Sequence, residues 1–341
     1  MKALVTGGGG FLGTRLARML CERGEEVTVL GRRRYPHLEG TPIRCLQADI
    51  RDRAAVQDAC RGMEVVFHAA AIPGIWGRRR TFQEINIEGT RNVLAACRAG
   101  GVRKLVHTSS PSVVFDHRDL CGVDESWPYP SRFLADYPAT KAVAERLVLA
   151  ANDDQLATVA LRPHLIWGPG DPHLIPRVIA RARTGRLVQV GDGTNLVDIT
   201  YIDNAAEAHL RAAEALAPGS ACAGRPYFIS QGEPVKLWPW LRCLLERLGI
   251  PGPTRSIPCG LAYRLGAVAE AAYRLLRLPG EPRLTRFVAF QLAKSHYFDI
   301  SAARRDFGYQ PVVSTETGLD RLVAHLGGTQ REFLSVEKQV Q

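Results

Sequence analysis

The chain has 341 residues, of which 46% are hydrophobic and 23% charged, and its formal net charge is +10. This is the mixture of an ordinary globular protein, with room for one large domain or two unequal lobes. No apolar run approaches the roughly 20 residues of a membrane span, and no zinc finger, helix-turn-helix or lysine-rich tail accompanies the basic charge, so we expect neither a membrane span nor nucleic-acid binding.

The cysteine pattern and the amino-terminal sequence indicate the compartment. The eight cysteines are scattered, with no CxxC pair and no Cys/His cluster of metal-ligand spacing, so we expect reduced thiols and no metal site. The first residues lack the apolar segment and cleavage site of a signal peptide. These features predict a cytoplasmic protein, whose basic surface suits anionic lipid or an anionic small molecule.

The first apolar run leads into the glycine-rich stretch Thr-Gly-Gly-Gly-Gly-Phe-Leu-Gly at positions 6–13, and apolar residues at helical spacing follow. A strand, a glycine turn and a helix in this order predict a dinucleotide site, because the turn lets the backbone approach a pyrophosphate and the helix N-terminus offers free N–H groups. A flexible loop is the alternative interpretation. The predicted cofactor contacts in this stretch are Gly7, Gly10, Phe11, Leu12 and Gly13.

Short apolar runs alternate with helical patterns through the first half of the chain. After the first strand, further strands are predicted at 27–30, 43–47, 65–68, 104–108 and 158–161, with helices at about 52–61, 82–99 and 134–151. This alternation predicts an α/β fold with a Rossmann-type, doubly wound parallel sheet covered by helices on both faces. Ligands of such sheets bind at the carboxyl ends of the strands, so each loop that follows a strand is a candidate site.

The loop after the second predicted strand carries Gly31 and then three arginines, Arg32–Arg34. An NAD site has an acidic residue about 20 positions after the glycine turn, whereas arginine suits the 2′-phosphate of NADP. The sequence therefore predicts NADP(H), with Arg32 as the first contact; a solvated basic loop is the alternative. Asp49 and Ile50 follow the third strand and are predicted to meet the adenine, although Asp49 also suits a helix N-cap.

The fourth predicted strand ends in the stretch His-Ala-Ala-Ala, positions 68–71. Ala69 is predicted to contact the cofactor, because a small side chain lets the ligand approach the sheet. His68 is predicted to be a packed histidine outside the chemistry. Asn86 interrupts an otherwise helical pattern, and two interpretations remain open, a hydrogen bond near the active site or a bond to backbone only.

Two segments carry the predicted chemistry. The fifth strand ends in Thr-Ser-Ser-Pro-Ser, and Tyr137 and Lys141 lie four residues apart, on one face of a predicted helix. A lysine ammonium is expected to lower the pKa of the phenol, so that Tyr137 exchanges a proton with a carbinol or ketone oxygen. A serine hydroxyl facing this pair would polarise the carbonyl as hydride arrives from a nicotinamide.

The turn TGGGGFLG, the strand pattern and the helix YPATK together resemble the extended branch of the short-chain dehydrogenase/reductases. The resemblance implies that Ser110, Tyr137 and Lys141 are catalytic and that Tyr137 and Lys141 also contact the cofactor. Ser109 and Ser112 are near enough to remain alternatives for the serine.

Two later segments extend the resemblance. Residues 161–171 resemble the family segment that closes over the nicotinamide, which implies cofactor contacts by Arg162 and Pro163. Residues 195–204 resemble the segment that returns the chain to the sheet. The resemblance thus implies three regions: a cofactor domain (1–168, with 196–230), a smaller and mostly helical substrate lobe (169–195 and 231–330) and a frayed tail (331–341).

From about residue 231 the strand–helix alternation stops, and two amphipathic helices are predicted near 238–248 and 261–276. Three interpretations remain open for these helices. They suit a cover over a pocket for long acyl chains, a peripheral contact with anionic lipid, or ordinary packing in a small lobe.

The stretches Thr-Ser-Ser-Pro-Ser-Val-Val-Phe and HAAA resemble the 3β-hydroxysteroid dehydrogenase-like subfamily. A closer resemblance, carried by residues 150–163, 191–198 and 304–309, is to the reductases of 2-alkyl-3-oxoalkanoic acids in bacterial long-chain olefin biosynthesis. It implies NADPH-dependent reduction of a long-chain 2-alkyl-3-keto acid to the 3-hydroxy acid. It also implies other olefin-pathway enzymes as partners, namely the acyl-CoA condensing enzyme, the β-lactone synthetase and the β-lactone decarboxylase.

Three alternative functions share this scaffold. An NAD-dependent 3β-hydroxysteroid or sterol dehydrogenase would use the same catalytic residues. A sugar-nucleotide epimerase or dehydratase would need a nucleotide-sugar site in the second lobe, and we identify none in the sequence. A non-catalytic nucleotide-sensing regulator is disfavoured because the Tyr137–Lys141 pair is present. A homo-oligomer is also expected.

Overall fold

The computed structural model describes residues 1–339, with side chains described as far as residue 327. Its strands are β1 (Lys2–Thr6), β2 (Glu26–Gly31), β3 (Arg44–Gln47), β4 (Val65–His68), β5 (Lys104–Thr108), β6 (Leu120–Val123), β7 (Ala157–Pro163), β8 (Ile166–Trp167), β9 (Gln189–Val190), β10 (Leu196–Val197), β11 (Thr200–Tyr201), β12 (Arg225–Ile229), β13 (Val235–Lys236), β14 (Ser256–Ile257) and β15 (His296–Phe298). Its α-helices are α1 (Phe11–Glu22), α2 (Arg53–Cys60), α3 (Arg79–Phe82), α4 (Gly89–Gly100), α5 (Asp136–Ala150), α6 (Leu174–Arg183), α7 (Ile202–Ala215), α8 (Leu237–Arg247), α9 (Cys259–Leu275), α10 (Arg286–Ala293), α11 (Ser301–Phe307) and α12 (Thr315–Gln339).

The main sheet has the strand order β12-β7-β5-β4-β1-β2-β3, and every neighbouring pair is parallel. The chain runs outward from β1 to β3 and then returns to the other side of β1 with β4. The strand order therefore reverses between β1 and β4, which opens a crevice at their carboxyl ends. The predicted Rossmann-type fold is confirmed.

Burial on both faces explains why the central strands of the sheet are largely apolar, whereas the edge strand β3 is mostly exposed. Every residue of β7 is buried, as are those of β4. Helices α1 and α7 pack together on one side, and α2, α4 and α5 pack on the other. The last strand, β12, lies within residues 196–230, the segment predicted to return to the sheet.

The helix predicted at about 82–99 starts earlier and contains an irregular turn. It begins with α3, passes through a π-helical turn at Gln83–Glu88 and continues as α4, after which Gly101 turns the chain with φ of 70°. The π-helical turn carries Asn86, whose Oδ1 accepts from the Ile72 N–H at 2.9 Å and whose Nδ2 donates to Thr140 Oγ1 at 3.0 Å. Asn86 therefore ties the loop after β4 to helix α5.

The second lobe contains a small sheet as well as the predicted helices. Its strand order is β13-β10-β15-β6, so that β6, from the first half of the chain, joins three strands from the second half. The second lobe, which was expected to be mostly helical, thus also contains a four-stranded sheet. The proposed division into domains stays a prediction, as does the frayed tail, whose residues 340–341 lie outside the described part of the chain.

Among the described residues, no helix is both long enough and apolar enough to cross a bilayer.

Candidate active site

The glycine turn after β1 is shaped by close backbone contacts. Gly7 has φ of +71°, and a Cβ at this position would lie 2.8 Å from the Ala70 Cα, next to Ala69. A Cβ at Gly13, in the first turn of α1, would lie 2.2 Å from the Gly7 carbonyl oxygen. Only glycine therefore lets the turn, the end of β4 and helix α1 approach each other this closely.

The N-terminus of α1 is left bare by its own sequence. Gly10 is the N-cap residue in an extended conformation, no side chain caps the helix, and its first turn has no acidic residue. The free N–H groups of the first turn, at Phe11, Leu12 and Gly13, suit an anionic phosphate. The turn and the helix end together fit the pyrophosphate of a dinucleotide.

Tyr35 occupies the space beside the end of β2. A Cβ at Gly31 would lie 1.8 Å from the Tyr35 hydroxyl oxygen, and a Cβ at Gly9 would lie 1.8 Å from its ring. The position at which an NAD site carries its acidic side chain is thus filled by a phenol from the following loop. Arg32 is exposed next to this point, and its charge helps to lower the pKa of Asp49 on the neighbouring strand end.

Asp49 and Ile50 lie at the end of β3 but differ in exposure. Hydrogen bonds from Arg51, one of them 2.8 Å from Nη2 to Asp49 Oδ2, hold the Asp49 pKa below its usual value. The N-cap of α2 is Asp52, which accepts from the Ala55 N–H at 3.1 Å, so the N-cap alternative for Asp49 is wrong. The Ile50 side chain is buried in the core, and its contact with the adenine stays a prediction.

Ser110 and Tyr137 line the same cavity, of about 340 Å³, at the carboxyl edge of the main sheet. Ser110 precedes a short 3-10 turn, Pro111–Val113, and its hydroxyl oxygen accepts from the Ser112 N–H at 3.2 Å and from the Ser112 hydroxyl at 2.9 Å. Because both acceptor positions of this oxygen are used, the Ser110 proton is available to a third group.

The two alternative serines have different places. Ser112 lines the cavity and donates a hydrogen bond from its hydroxyl to the Ser110 oxygen. Ser109 is buried on the other side of the strand end, close enough to Glu145 to help lower the pKa of that carboxyl. Ser110 is therefore the serine that faces Tyr137.

The lysine of the pair is directed toward β5 rather than toward the phenol. Lys141 Nζ donates to the Thr108 carbonyl oxygen at 2.5 Å and lies 3.3 Å from His107 Nε2. Burial lowers the Lys141 pKa to about 8, although Glu145 opposes the shift. Burial also raises the pKa of Tyr137, opposed by a hydrogen bond from Ser110. In the protein alone burial dominates and the Tyr137 pKa is raised, so the expected net lowering by Lys141 is not seen.

His68 is a packed core histidine, as predicted. Its Nδ1 lies 2.7 Å from Thr6 Oγ1 and its Nε2 lies 2.9 Å from Thr90 Oγ1. Burial lowers its pKa to about 3, so that the ring is neutral near pH 7. With both nitrogens bonded to hydroxyl groups, His68 links β1 and β4 to helix α4.

Arg162 does not reach the cavity, which corrects the expected cofactor contact. Its guanidinium forms two hydrogen bonds with Glu145, at 2.9 and 2.6 Å, and both side chains are buried. The Tyr129 hydroxyl donates to the same carboxylate at 2.6 Å. Pro163, the next residue along β7, does line the cavity.

Several further residues that line the cavity, most of them in the second lobe, were not predicted from the sequence. Arg177 on α6 forms an ion pair of 2.9 Å with Glu281, and the two side chains are 56% and 43% exposed. His164 Nε2 lies 2.6 Å from His296 Nδ1, and burial lowers the pKa of both, that of His296 to about 4. His173 also lines this cavity. Their positions, scattered over more than one hundred residues, gave no local signal.

Known proteins resemble the chain over nearly its whole length. It is 54% identical over 329 residues to the 2-alkyl-3-oxoalkanoate reductase of Stenotrophomonas maltophilia (strain K279a), covering 95% of this chain and 99% of that protein. It is 34% identical over 327 residues to the decarboxylating sterol-4-alpha-carboxylate 3-dehydrogenase of Mus musculus, covering 94% of this chain and 90% of that protein.

A solved structure and a family model agree with this result. UDP-glucuronic acid 4-epimerase from Bacillus cereus in complex with NAD matches with a TM-score of 0.73 and 23% identity, over 96% of this chain and 99% of that chain, which shows the fold alone. The model of the 3-beta hydroxysteroid dehydrogenase/isomerase family matches residues 4–259. The chain therefore belongs to the 3-beta hydroxysteroid dehydrogenase/isomerase family, within the extended short-chain dehydrogenase/reductases.

Proposed function

We propose that the protein is an NADPH-dependent reductase of the 3-keto group of long-chain 2-alkyl-3-oxoalkanoic acids. The observation that carries the proposal is the pairing of Ser110 and Tyr137 in one cavity at the carboxyl edge of the sheet, the edge at which the glycine turn follows β1. The substrate class is taken from the relative that is 54% identical to this chain.

The residues around the crevice fit a nicotinamide dinucleotide. Gly7, Gly10 and Gly13 form the cradle that side chains would fill, and the bare end of α1 supplies N–H donors for the pyrophosphate. Ala69 borders the cradle, and Pro163 and Tyr137, which line the catalytic cavity, would hold the nicotinamide together with Lys141. When bound, the reduced nicotinamide supplies the hydride.

The chain's own residues handle the proton and the ketone oxygen. Burial keeps Tyr137 protonated near neutral pH, so its hydroxyl donates a proton to the oxygen as negative charge develops there. Ser110 donates a hydrogen bond to the same oxygen, because the hydrogen bonds from Ser112 fill its acceptor positions. The Lys141 ammonium, which is held by the Thr108 carbonyl oxygen, adds a positive charge near Ser110 and Tyr137.

The preference for NADPH is supported at the end of β2. Gly31 offers no carboxylate to a ribose 2′-hydroxyl, Tyr35 fills the space of such a side chain, and Arg32 is exposed beside it. We expect Arg32→Ala to raise the KM for NADPH by about 10- to 100-fold, the loss of one charged hydrogen bond, and to change the KM for NADH by less than about threefold. Steady-state kinetics with both cofactors would measure this.

Arg44→Ala is the matched control for that substitution. Arg44 is an exposed arginine at the opposite end of the sheet, where β3 begins, so its loss should leave both KM values unchanged. Equal losses for NADPH and NADH in Arg32→Ala would remove the 2′-phosphate assignment.

Within the cavity, Arg177 is the residue that we propose binds the substrate carboxylate. It is the one Lys or Arg side chain among the described residues that line this cavity, and its ion pair with the partly exposed Glu281 is open to exchange. A substrate carboxylate can replace Glu281 as the partner of the guanidinium.

We expect Arg177→Gln to raise the KM for a 2-alkyl-3-keto acid by about 10- to 100-fold with a smaller change in kcat. The KM for the neutral methyl ester of the same acid should stay nearly constant, because no carboxylate is present. Arg181→Gln, one turn along α6 and hydrogen-bonded to the Arg283 carbonyl outside the cavity, is the control. A KM increase of the same size for acid and ester would reject the role of Arg177.

A sterol or 3β-hydroxysteroid dehydrogenase is the second candidate, supported by the family and by the 34% identical relative. Parallel assays decide between the two: NADPH oxidation with a 2-alkyl-3-keto acid, and NAD reduction with a hydroxysteroid or a sterol 4-carboxylate. Turnover of the keto acid with NADPH supports the first candidate. Turnover of the steroid alone would reject it.

Assembly stays a prediction. We propose a homo-oligomer that works with the other olefin-pathway enzymes, because the product of the reductase is the substrate of the next enzyme in the sequence implied by the resemblance. Size-exclusion chromatography with light scattering, on the protein alone and mixed with these enzymes, would test both parts.

A further inference from the structure

Helix α9 and the three residues that follow it carry most of the large apolar side chains that are exposed in the described part of the chain. Eight large apolar side chains are exposed in the described part of the chain, and six of them lie between residues 261 and 278. The six, which we call the α9 stripe, are Leu261, Leu265, Val268, Leu275, Leu276 and Leu278. Leu275 is 83% exposed and Val268 is 68% exposed, so this surface is open rather than half-packed.

The spacing of the α9 stripe follows the helix. Residues 261, 265, 268 and 275 repeat every three, four or seven positions, which places them on one face of α9. The opposite face packs tightly against the start of α10, because a Cβ at Gly266 would lie 2.7 Å from the Thr285 backbone. The inner face is thus anchored to the lobe while the outer face has no protein partner among the described residues.

The exposed charged residues within the span of the α9 stripe are all arginines. Arg264, Arg274 and Arg277 are exposed, and no carboxylate of the described residues lies within salt-bridge distance of them, although the Arg274 guanidinium lies 5.2 Å from the centre of the Trp76 ring. The single acidic residue of α9, Glu270, is buried and paired with Arg286 at 2.8 Å. An apolar face bordered by exposed arginines that have no carboxylate partner is the composition that binds the surface of an anionic bilayer.

The α9 stripe also lies beside a cavity that borders the catalytic cavity. A second cavity, of about 830 Å³, is walled by Tyr273, Arg274 and Arg277 at the end of α9. It shares Trp76 and Phe287 with the catalytic cavity. A membrane under the α9 stripe would therefore lie beside a cavity that borders the one lined by Ser110 and Tyr137.

We propose that the α9 stripe docks the protein on the surface of an anionic lipid membrane. The docking is interfacial: the leucines enter the boundary between headgroups and acyl chains, and the arginines contact the lipid phosphates. A second copy of this chain fits less well, because two such faces would bring their arginines together. The docking itself does not depend on which substrate the active site takes.

Flotation of the full chain with vesicles tests the proposal. We expect binding to vesicles of phosphatidylglycerol and phosphatidylcholine, and binding at least about tenfold weaker to phosphatidylcholine alone or at 0.5 M salt. The double variant Val268→Glu/Leu275→Glu should lose binding to the anionic vesicles by at least about tenfold. Both side chains are highly exposed and neither lines a cavity, so NADPH binding should be unchanged.

Val312→Glu is the matched control. Val312 is 62% exposed but lies outside the α9 stripe, so its variant should bind vesicles like the wild type. Failure of the wild type to bind anionic vesicles, or equal binding by the double variant, would overturn the proposal. So would conversion of an oligomer into monomers by the double variant in light scattering, since the α9 stripe would then be an interface between copies.

Discussion

Tyr137→Phe is expected to lower kcat by about 10²- to 10⁴-fold, the usual contribution of a positioned proton donor. The substitution removes the hydroxyl that faces Ser110 and retains the aromatic ring that fills the cavity wall. Binding of NADPH should change by less than about threefold, because the pyrophosphate cradle lies at the glycine turn. Single-turnover kinetics and fluorescence titration of NADPH would measure the two quantities.

Ser112→Ala is the companion variant. It removes the hydroxyl that donates to Ser110 at 2.9 Å but leaves the backbone N–H that donates at 3.2 Å, so we expect a smaller loss of about tenfold or less. Turnover of Tyr137→Phe within about threefold of the wild type would contradict the proposed proton transfer.

Arg162→Met is expected to lower the free energy of unfolding at pH 7 by about 3–5 kcal/mol, because it leaves the buried Glu145 carboxylate without its ion pair. Burial alone raises the Glu145 pKa, whereas the two hydrogen bonds from Arg162 hold it below its usual value. A depressed carboxyl pKa stabilises the folded protein above the unfolded pKa, and this contribution is lost as the pH falls through the folded pKa. This wild-type contribution is still largely present at pH 4.5. In Arg162→Met, burial without the ion pair raises the Glu145 pKa, and protonation of the carboxyl as the pH falls toward its unfolded value of about 4.3 relieves the penalty. The difference between variant and wild type should therefore shrink from pH 7 to pH 4.5.

Arg91→Met is the control for that measurement. Arg91 pairs with Glu88 at 2.7 Å, but both side chains are 54% exposed, so its loss should cost less than about 1 kcal/mol. Urea unfolding at pH 7 and at pH 4.5 would give all four values. A loss below about 1 kcal/mol for Arg162→Met would show that the buried pair contributes little to stability.

The cofactor half of the protein could be predicted because its signals are local. The strand, the turn and the helix of residues 2–22 are contiguous, and both the backbone at Gly7 and the bare helix end follow from that one stretch. The strand pattern likewise specified the sheet, since strands buried on both faces are apolar throughout. Tyr137 and Ser110 could be paired because Ser110 follows the end of β5 and Tyr137 lies in the first turn of α5, both at the carboxyl edge of the sheet.

The errors arose where a side chain had to be given a direction. Arg162 lies one residue from the cavity-lining Pro163. Because side chains alternate along β7, the Arg162 side chain lies on the opposite face of the sheet, where it binds Glu145. Glu145 lies one turn beyond Lys141 on the buried face of α5. A buried carboxylate requires a charged partner, so this position could have indicated the ion pair with Arg162 from the sequence. Lys141 was assigned an effect on Tyr137 from spacing alone, although the end of β5 supplies a nearer acceptor.

The substrate side could not be predicted from sequence for a different reason. Strand β6 pairs with β15 across more than 170 residues, and the strands of this small sheet have only two to four residues, too few for a periodic pattern. Arg177 and His296 reach the cavity from separate elements of the same lobe. Such contacts depend on the assembled fold rather than on any single stretch.

Deuterium transfer tests the central claim most directly. The full chain is incubated with a 2-alkyl-3-keto acid and NADPH that carries deuterium at C4 of the nicotinamide, in each of the two configurations, and the products are analysed by mass spectrometry. The proposed function predicts a 2-alkyl-3-hydroxy acid that retains its carboxylate and carries one deuterium at C3, from one of the two cofactors, and that is nearly absent with Tyr137→Phe. A ketone formed by loss of carbon dioxide, or a hydroxy acid without deuterium from either cofactor, would contradict it.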